Sequence, residues 1–201
     1  MGAADEQALL DDVLARLPGG AQLRLDANGA WTTRQAGRWL DHCAGRPIEF
    51  VEQPCFADAA QDAGGQRRTD DALLGLARDY PTKLALDESV AGGRSLRTWL
   101  ERGWPGVFVV KPALTGAPAD VLALLAQHRA DVAFSSALET AVGRRTALRM
   151  ALQYQGAPAR ALGFGVAPLF EDRRLDGPAA PFLSIADVNQ MDSAAVWNAL
   201  N

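Results

Sequence analysis

Ile48-Glu49-Phe50-Val51-Glu52-Gln53-Pro54 reads as a buried strand that ends in a carboxylate. Alternation sends Ile48, Phe50 and Glu52 to one face and Val51 to the other. Pro54, with no amide hydrogen to give a ladder, stops the strand directly after the acid. Leu23-Arg24-Leu25-Asp26, Leu84-Ala85-Leu86-Asp87 and Val107-Phe108-Val109-Val110-Lys111 repeat the design, each a short run whose last position is ionisable. Four strands thus offer three carboxylates and one ammonium at one end of a sheet.

Outward from these strands, Leu9, Leu10, Val13, Leu14 and Leu17 fall at helical spacing over Asp5 to Leu17, and Pro18-Gly19-Gly20 stops that helix. A strand from Gln22 to Asp26 follows, then a helix capped by Thr32 or Thr33 and running to about Cys43. The polar, Gly-rich stretch from Asp58 to Thr69 reads as a long loop, with Asp70 capping a helix over Leu73, Leu74, Leu76 and Ala77. Strands are then expected at Lys83 to Asp87, Val107 to Lys111, Asp131 to Ser136 and Arg160 to Val166. The helices between and after them fall near Ser95 to Arg102, Pro118 to His128, Val142 to Gln153 and Asp187 to Leu200.

Six βα units of about 25 to 35 residues predict an α/β fold with a parallel sheet covered by helices. Asp26-Ala27-Asn28-Gly29 is no G-x-G-x-x-G turn, which argues against a doubly wound nucleotide fold. A TIM-type barrel places its active site at the C-terminal ends of several strands, where Asp26, Glu52, Asp87 and Lys111 fall. Such a barrel closes with eight strands and six are countable. The expected fold is therefore an incomplete (β/α)8 barrel, a single domain over residues 1–201.

With 201 residues and 48% hydrophobic content the chain can bury a proper core. A formal net charge of −4 leaves no basic footprint for nucleic acid. No apolar run approaches the ~18 residues of a membrane span, and the first residues lack the features of a signal peptide. Neither nucleic acid nor membrane is an expected partner. Cys43 and Cys55 have neither metal-type spacing nor enough company for a disulfide framework, so they read as small packing residues of a cytoplasmic protein. His42 and His128 fall on predicted helices away from strand ends and read as surface residues, and Glu49 and Lys83 as solvated flanking charges. Trp39, Trp99, Trp104 and Trp197 read as helix packing, and Trp31 as a candidate to face a pocket.

Three carboxylates on neighbouring parallel strands repel one another unless a cation sits between them. All-oxygen ligation selects a hard ion. Mg²⁺, octahedral at about 2.0–2.1 Å with positions open for water or substrate, fits three protein ligands, and Mn²⁺ can substitute. Lys111 beside a metal-bound substrate would stabilise an enolate or exchange a proton. The chemistry implied is proton transfer next to the carboxylate of a small molecule. One acid at a strand end is more often a cap or a loop partner; the repetition across successive units reverses those odds.

Leu25-Asp26-Ala27-Asn28-Gly29, Val51-Glu52-Gln53-Pro54, Leu86-Asp87-Glu88-Ser89 and Val110-Lys111-Pro112-Ala113 resemble the enolase superfamily, muconate-lactonising subgroup. Phe134-Ser135-Ser136-Ala137-Leu138-Glu139-Thr140-Ala141-Val142-Gly143 is similar to those members that act as dehydratases in menaquinone and phylloquinone biosynthesis. The resemblance runs from about residue 5 to 170. It implies that Asp26, Glu52 and Asp87 bind Mg²⁺, that Lys111 is the lysine of the sixth barrel strand, that Asn28 and Glu88 support the ligands, and that Ser135 and Ser136 line the substrate pocket.

Neither histidine is placed for the His–Asp dyad of mandelate-racemase-like members, and Gly163-Phe164-Gly165 stands where dipeptide epimerases carry Asp-x-Asp. Racemization of N-succinylamino acids uses the same ligands and lysines and stays open. Superfamily members also carry an N-terminal capping domain, and a Lys-x-Lys motif on the second barrel strand that supplies the base. No lysine precedes Lys83 here. The expectation is thus the C-terminal barrel portion of a lyase, lacking the capping domain and first two strands, with impaired catalysis. The rival is a non-catalytic metal-binding remnant or assembly partner, self-associating through open barrel edges.

Overall fold

Helices and strands alternate along the chain in the computed structural model, which describes residues 3–58, 60–156, 160–166, 168–177 and 182–199. The order is α1 (Ala3–Ala15), β1 (Leu23–Asp26), α2 (Thr33–Cys43), β2 (Ile48–Glu52), α3 (Ala63–Asp79), β3 (Leu84–Leu86), α4 (Gly93–Glu101), β4 (Val107–Val110), α5 (Pro112–Thr115), α6 (Pro118–Gln127), β5 (Asp131–Phe134), α7 (Ala141–Gln153), α8 (Ile185–Asn189) and α9 (Ser193–Ala199), with 3-10 turns at Glu88–Val90 and Arg173–Leu175. The five strands are parallel and ordered β1-β2-β3-β4-β5. This is the α/β class, an incomplete barrel. No helix among the described residues is long and apolar enough to cross a membrane.

The chain divides into two compact units, Met1–Ser89 with Trp104–Val107, and Val90–Gly103 with Phe108–Asn201. In the first, β1 and β2 pair with Asp26 opposite Glu52, and β2 and β3 pair with Glu52 opposite Ala85. Phe50, Val51, Leu84, Leu86, Leu40 and Leu73 form its buried centre. Each such side chain contributes about 1.5–3 kcal/mol by leaving water. α2 starts where the sequence puts it, because Thr32 and Gln35 close a reciprocal capping box. The second unit buries Val109, Val110, Leu125, Phe134, Leu148 and Met150. α8 and α9 are fastened to α7 by Arg145 and Arg149, which donate to Asn189 and Ser193.

Several expectations need correction. α3 begins at Ala63, inside the stretch expected to be loop, so Asp70 lies within the helix rather than at its cap. Gly65 there lies close to the residue that precedes the helix: a Cβ on it would lie 2.5 Å from Oδ2 of Asp62. The expected strand Arg160 to Val166 is reduced to one bridge, Gly163 against Ser135. Its glycines give little side chain to pack, and a Cβ on Gly163 would meet Ser135 Oγ at 2.6 Å. The last helix is two, because Ser184 and Asp187 cap α8 and Asp192 accepts from the amides of Ala194 and Ala195 to start α9. Leu200, its expected end, lies outside the described residues.

Candidate metal centre

Register decides how the three acids stand. Asp26 and Glu52 end neighbouring strands directly opposite each other, and Asp87 lies two residues beyond Ala85, the partner of Glu52. Two residues along a strand restores the face, so all three belong to one side of the sheet. They differ in burial: Asp26 is exposed, Glu52 half-buried and Asp87 buried. Asp26 turns one carboxylate oxygen, Oδ1, onto the amide of Asn28 at 2.8 Å. Asn28 thus supports it through the backbone, in a left-handed conformation with φ 46°. Glu88 is half-buried at the start of the 3-10 turn that follows Asp87.

Among the described residues, no three acidic, His or Cys side chains converge as a ready metal cluster. Adjacent strands are about 4.8 Å apart, which sets Asp26 beside Glu52 on one face. The donor set is all oxygen, which fits Mg²⁺.

Gln53, quoted in the motif and given no role, is the residue the sequence reading missed. It is wholly buried with φ 32°. Its Nε2 donates to Cys55 O and to Ser89 Oγ, both at 2.8 Å, and its Oε1 accepts from the amides of Asp87 at 2.9 Å and Ser89 at 3.2 Å. The available signal was parity: alternation turns residue 53 away from the face of Glu52, into the core, where an amide has to find partners.

In the second unit, Lys111 is half-buried at the N-cap of α5, directly after β4. The amide of Ser135 donates to Val110 O at 2.9 Å, so Ser135 stands beside the residue that precedes the lysine. Ser136 is buried; its Oγ donates to Glu139 Oε2 at 3.1 Å, and the same oxygen accepts from the amide of Ala137 at 2.6 Å. Arg144, 2% exposed, donates to Phe164 O at 2.5 Å. Burial pushes its guanidinium pKa down, against the opposing pull of Glu139 and Asp176.

Other residues singled out in the sequence take places of their own. Glu49 is no solvated charge: it accepts from Arg24 Nε at 2.7 Å. His42 is only 18% exposed on its side chain and bonds Asp11 at 3.1 Å, a carboxylate that Arg46 also holds. Trp31 stacks on Trp39 with rings parallel and centroids 5.2 Å apart, lining a shallow cavity with Glu6, Gln7 and Arg38. Trp197 is largely exposed at 64%. Cys43 and Cys55 are buried and free, and burial pushes the Cys43 thiol up to about 11.

Residues 2–181 match the enolase C-terminal domain-like family, and the chain belongs to it. Within that class, the chain is 45% identical over 172 residues to o-succinylbenzoate synthase of Thermosynechococcus vestitus, covering 83% of this chain and 49% of the relative. It is 32% identical over 168 residues to o-succinylbenzoate synthase of Mycobacterium tuberculosis, covering 82% and 47%. The crystal structure of o-succinylbenzoate synthase from Thermosynechococcus elongatus BP-1, complexed with Mg in its active site, superposes with TM-score 0.70 at 44% identity over 83% of this chain and 50% of that one. Muconate lactonizing enzyme from Pseudomonas putida shares the fold, with TM-score 0.66 at 19% identity over 79% and 42%. The chain spans about half the length of the curated relatives it matches.

Proposed function

We propose that residues 1–201 are the barrel portion of an o-succinylbenzoate synthase-like dehydratase that binds Mg²⁺ or Mn²⁺ through Asp26, Glu52 and Asp87. The observation that carries this reading is the register, with Asp26 opposite Glu52 and Asp87 two residues past Ala85. The substrate proposed is 2-succinyl-6-hydroxy-2,4-cyclohexadiene-1-carboxylate. Its C1 proton passes to a base, its C6–O bond breaks, and hydroxide leaves as the ring becomes aromatic. A divalent ion at the three acids supplies neutralisation of the second negative charge that appears on the substrate carboxylate. Lys111, cationic at the end of β4, stabilises that charge, and Ser135 and Ser136 orient the substrate.

The chain has two lysines, Lys83 and Lys111. Lys83 is exposed and precedes β3, at the opposite end of the strand from Asp87, so it does not serve as the base. The resemblance to the enolase superfamily, whose members carry the base in a Lys-x-Lys motif, implies that the proton acceptor comes from another segment, and on this reading the chain alone turns over poorly. The test mixes the purified chain with the part of the Thermosynechococcus relative that this chain does not cover. Mg²⁺-dependent dehydration that is lost with Lys111→Ala is expected. A folded, Mg²⁺-binding mixture without turnover overturns the dehydratase reading; turnover by the chain alone above its Lys111→Ala variant overturns the missing base.

A further inference from the structure

We propose that Gln53 is the positioning residue of the metal centre, one side chain whose bonds set the spacing of the ligand-bearing strand ends. The inference rests on the metal reading above and adds a residue to which that reading gives no part. A primary amide has two N–H donors and two acceptor lone pairs, and Gln53 uses all four. Nε2 donates to Cys55 O and Ser89 Oγ, and Oε1 accepts from the amides of Asp87 and Ser89. Two donors converging on Oε1 fix which way the amide faces.

The backbone of the same residue completes the set. Its N–H donates to Ala85 O at 2.8 Å, and its carbonyl accepts from Gly29 N at 2.7 Å. Residue 53 is thus bonded to the turn after Asp26, follows Glu52 directly, and holds the amide of Asp87. All three acids are tied to it within a few bonds. Its backbone sits at φ 32°, a conformation unfavourable by about 1–2 kcal/mol for a side chain of this kind, which persists where its surroundings over-determine it. An apolar residue would fill the same volume, but would leave the buried amides of Asp87 and Ser89 without this acceptor. Octahedral Mg²⁺ tolerates little error in ligand position, so a clamp fixing Glu52 against Asp87 acts on affinity as well as on folding.

The experiment titrates Mg²⁺ into the 201-residue chain by calorimetry, with Gln53→Met, Ser89→Ala and Leu73→Ala alongside and thermal unfolding recorded for each. Leu73 is wholly buried in α3 and serves as a destabilised control that leaves the clamp intact. Gln53→Met is expected to weaken Mg²⁺ by about 10-fold or more, within the range for partners that orient metal ligands. Ser89→Ala, which removes one acceptor of Nε2, loses roughly 3-fold on the same principle and keeps the test decisive should Gln53→Met not fold. Leu73→Ala lowers the melting temperature and leaves affinity unchanged. A folded Gln53→Met or Ser89→Ala chain that binds Mg²⁺ as wild type does, or a Leu73→Ala chain that loses as much, overturns the positioning role alone. A folded wild-type chain that binds no Mg²⁺ overturns the metal reading and this inference with it.

Discussion

At the ends of β2 and β3 the chain is held by ladder bonds and by the uncharged side chain of Gln53, whereas beyond β5 the returning segment is held by the bridge at Gly163, by the Ser135 hydroxyl on Gly163 O and by the charged side chains of Arg160 and Arg144. Gln53 fastens the first region from within the core. In the second, Arg160 grips Asp131 at 2.5 and 2.7 Å, and Arg144 reaches Phe164 O beside the single bridge at Gly163. Strand ends tied by a neutral amide depend on geometry; a segment tied by guanidinium groups depends on charge.

Removing a charge should therefore strike the second region hardest. Arg144→Met leaves Phe164 O without its donor and takes the positive charge from between Glu139 and Asp176. A loss of about 3 kcal/mol in unfolding free energy is expected by urea denaturation, as for breaking a buried charged contact. A change under 1 kcal/mol would remove the distinction between the regions.

Asp131→Asn weakens a partly exposed bidentate pair, so a smaller loss of about 1 kcal/mol is expected. Raising the ionic strength should shrink that difference, while the effect of Gln53→Met stays as it is. Equal salt dependence of both would mean that the two regions are held alike.

An effect confined to alkaline pH concerns the first region. Burial pushes the Cys43 thiol up from 9.0 to about 11. The unfolded chain ionises it first, so its contribution to stability is whole below about pH 9 and is lost as pH rises through about 11. Alkylation of native protein at pH 8 should spare Cys43, and stability followed from pH 8 to 11 should fall less in Cys43→Ala. Rapid native labelling would contradict the burial.

The difference between the regions is also why one was more legible in the sequence. β2 came out from Ile48 to Glu52 as read, because alternation and Pro54 mark a half-buried strand and its end. The run from Arg160 to Val166 has similar alternation, yet its contacts are an ion pair and a carbonyl bond to residues far along the chain, which no local pattern encodes. Asp58 to Thr69 was read as loop from its polar residues and glycines, whereas the helix already runs from Ala63, since the low helix propensity of glycine is a weak local preference. The acids were legible as strand-end charges. Gln53 was not, since its role depends on amides at 87 and 89 that meet it only once β2 and β3 pair.

The central claim is that Asp26, Glu52 and Asp87 share one cation. Calorimetric titration of Mg²⁺ into the folded chain tests it most directly, beside the triple variant Asp26→Ala, Glu52→Ala, Asp87→Ala, with circular dichroism confirming the fold of both. One ion per chain, lost in the variant, is the predicted result. A folded wild-type chain that takes up none, or a folded variant that binds as tightly, would contradict it.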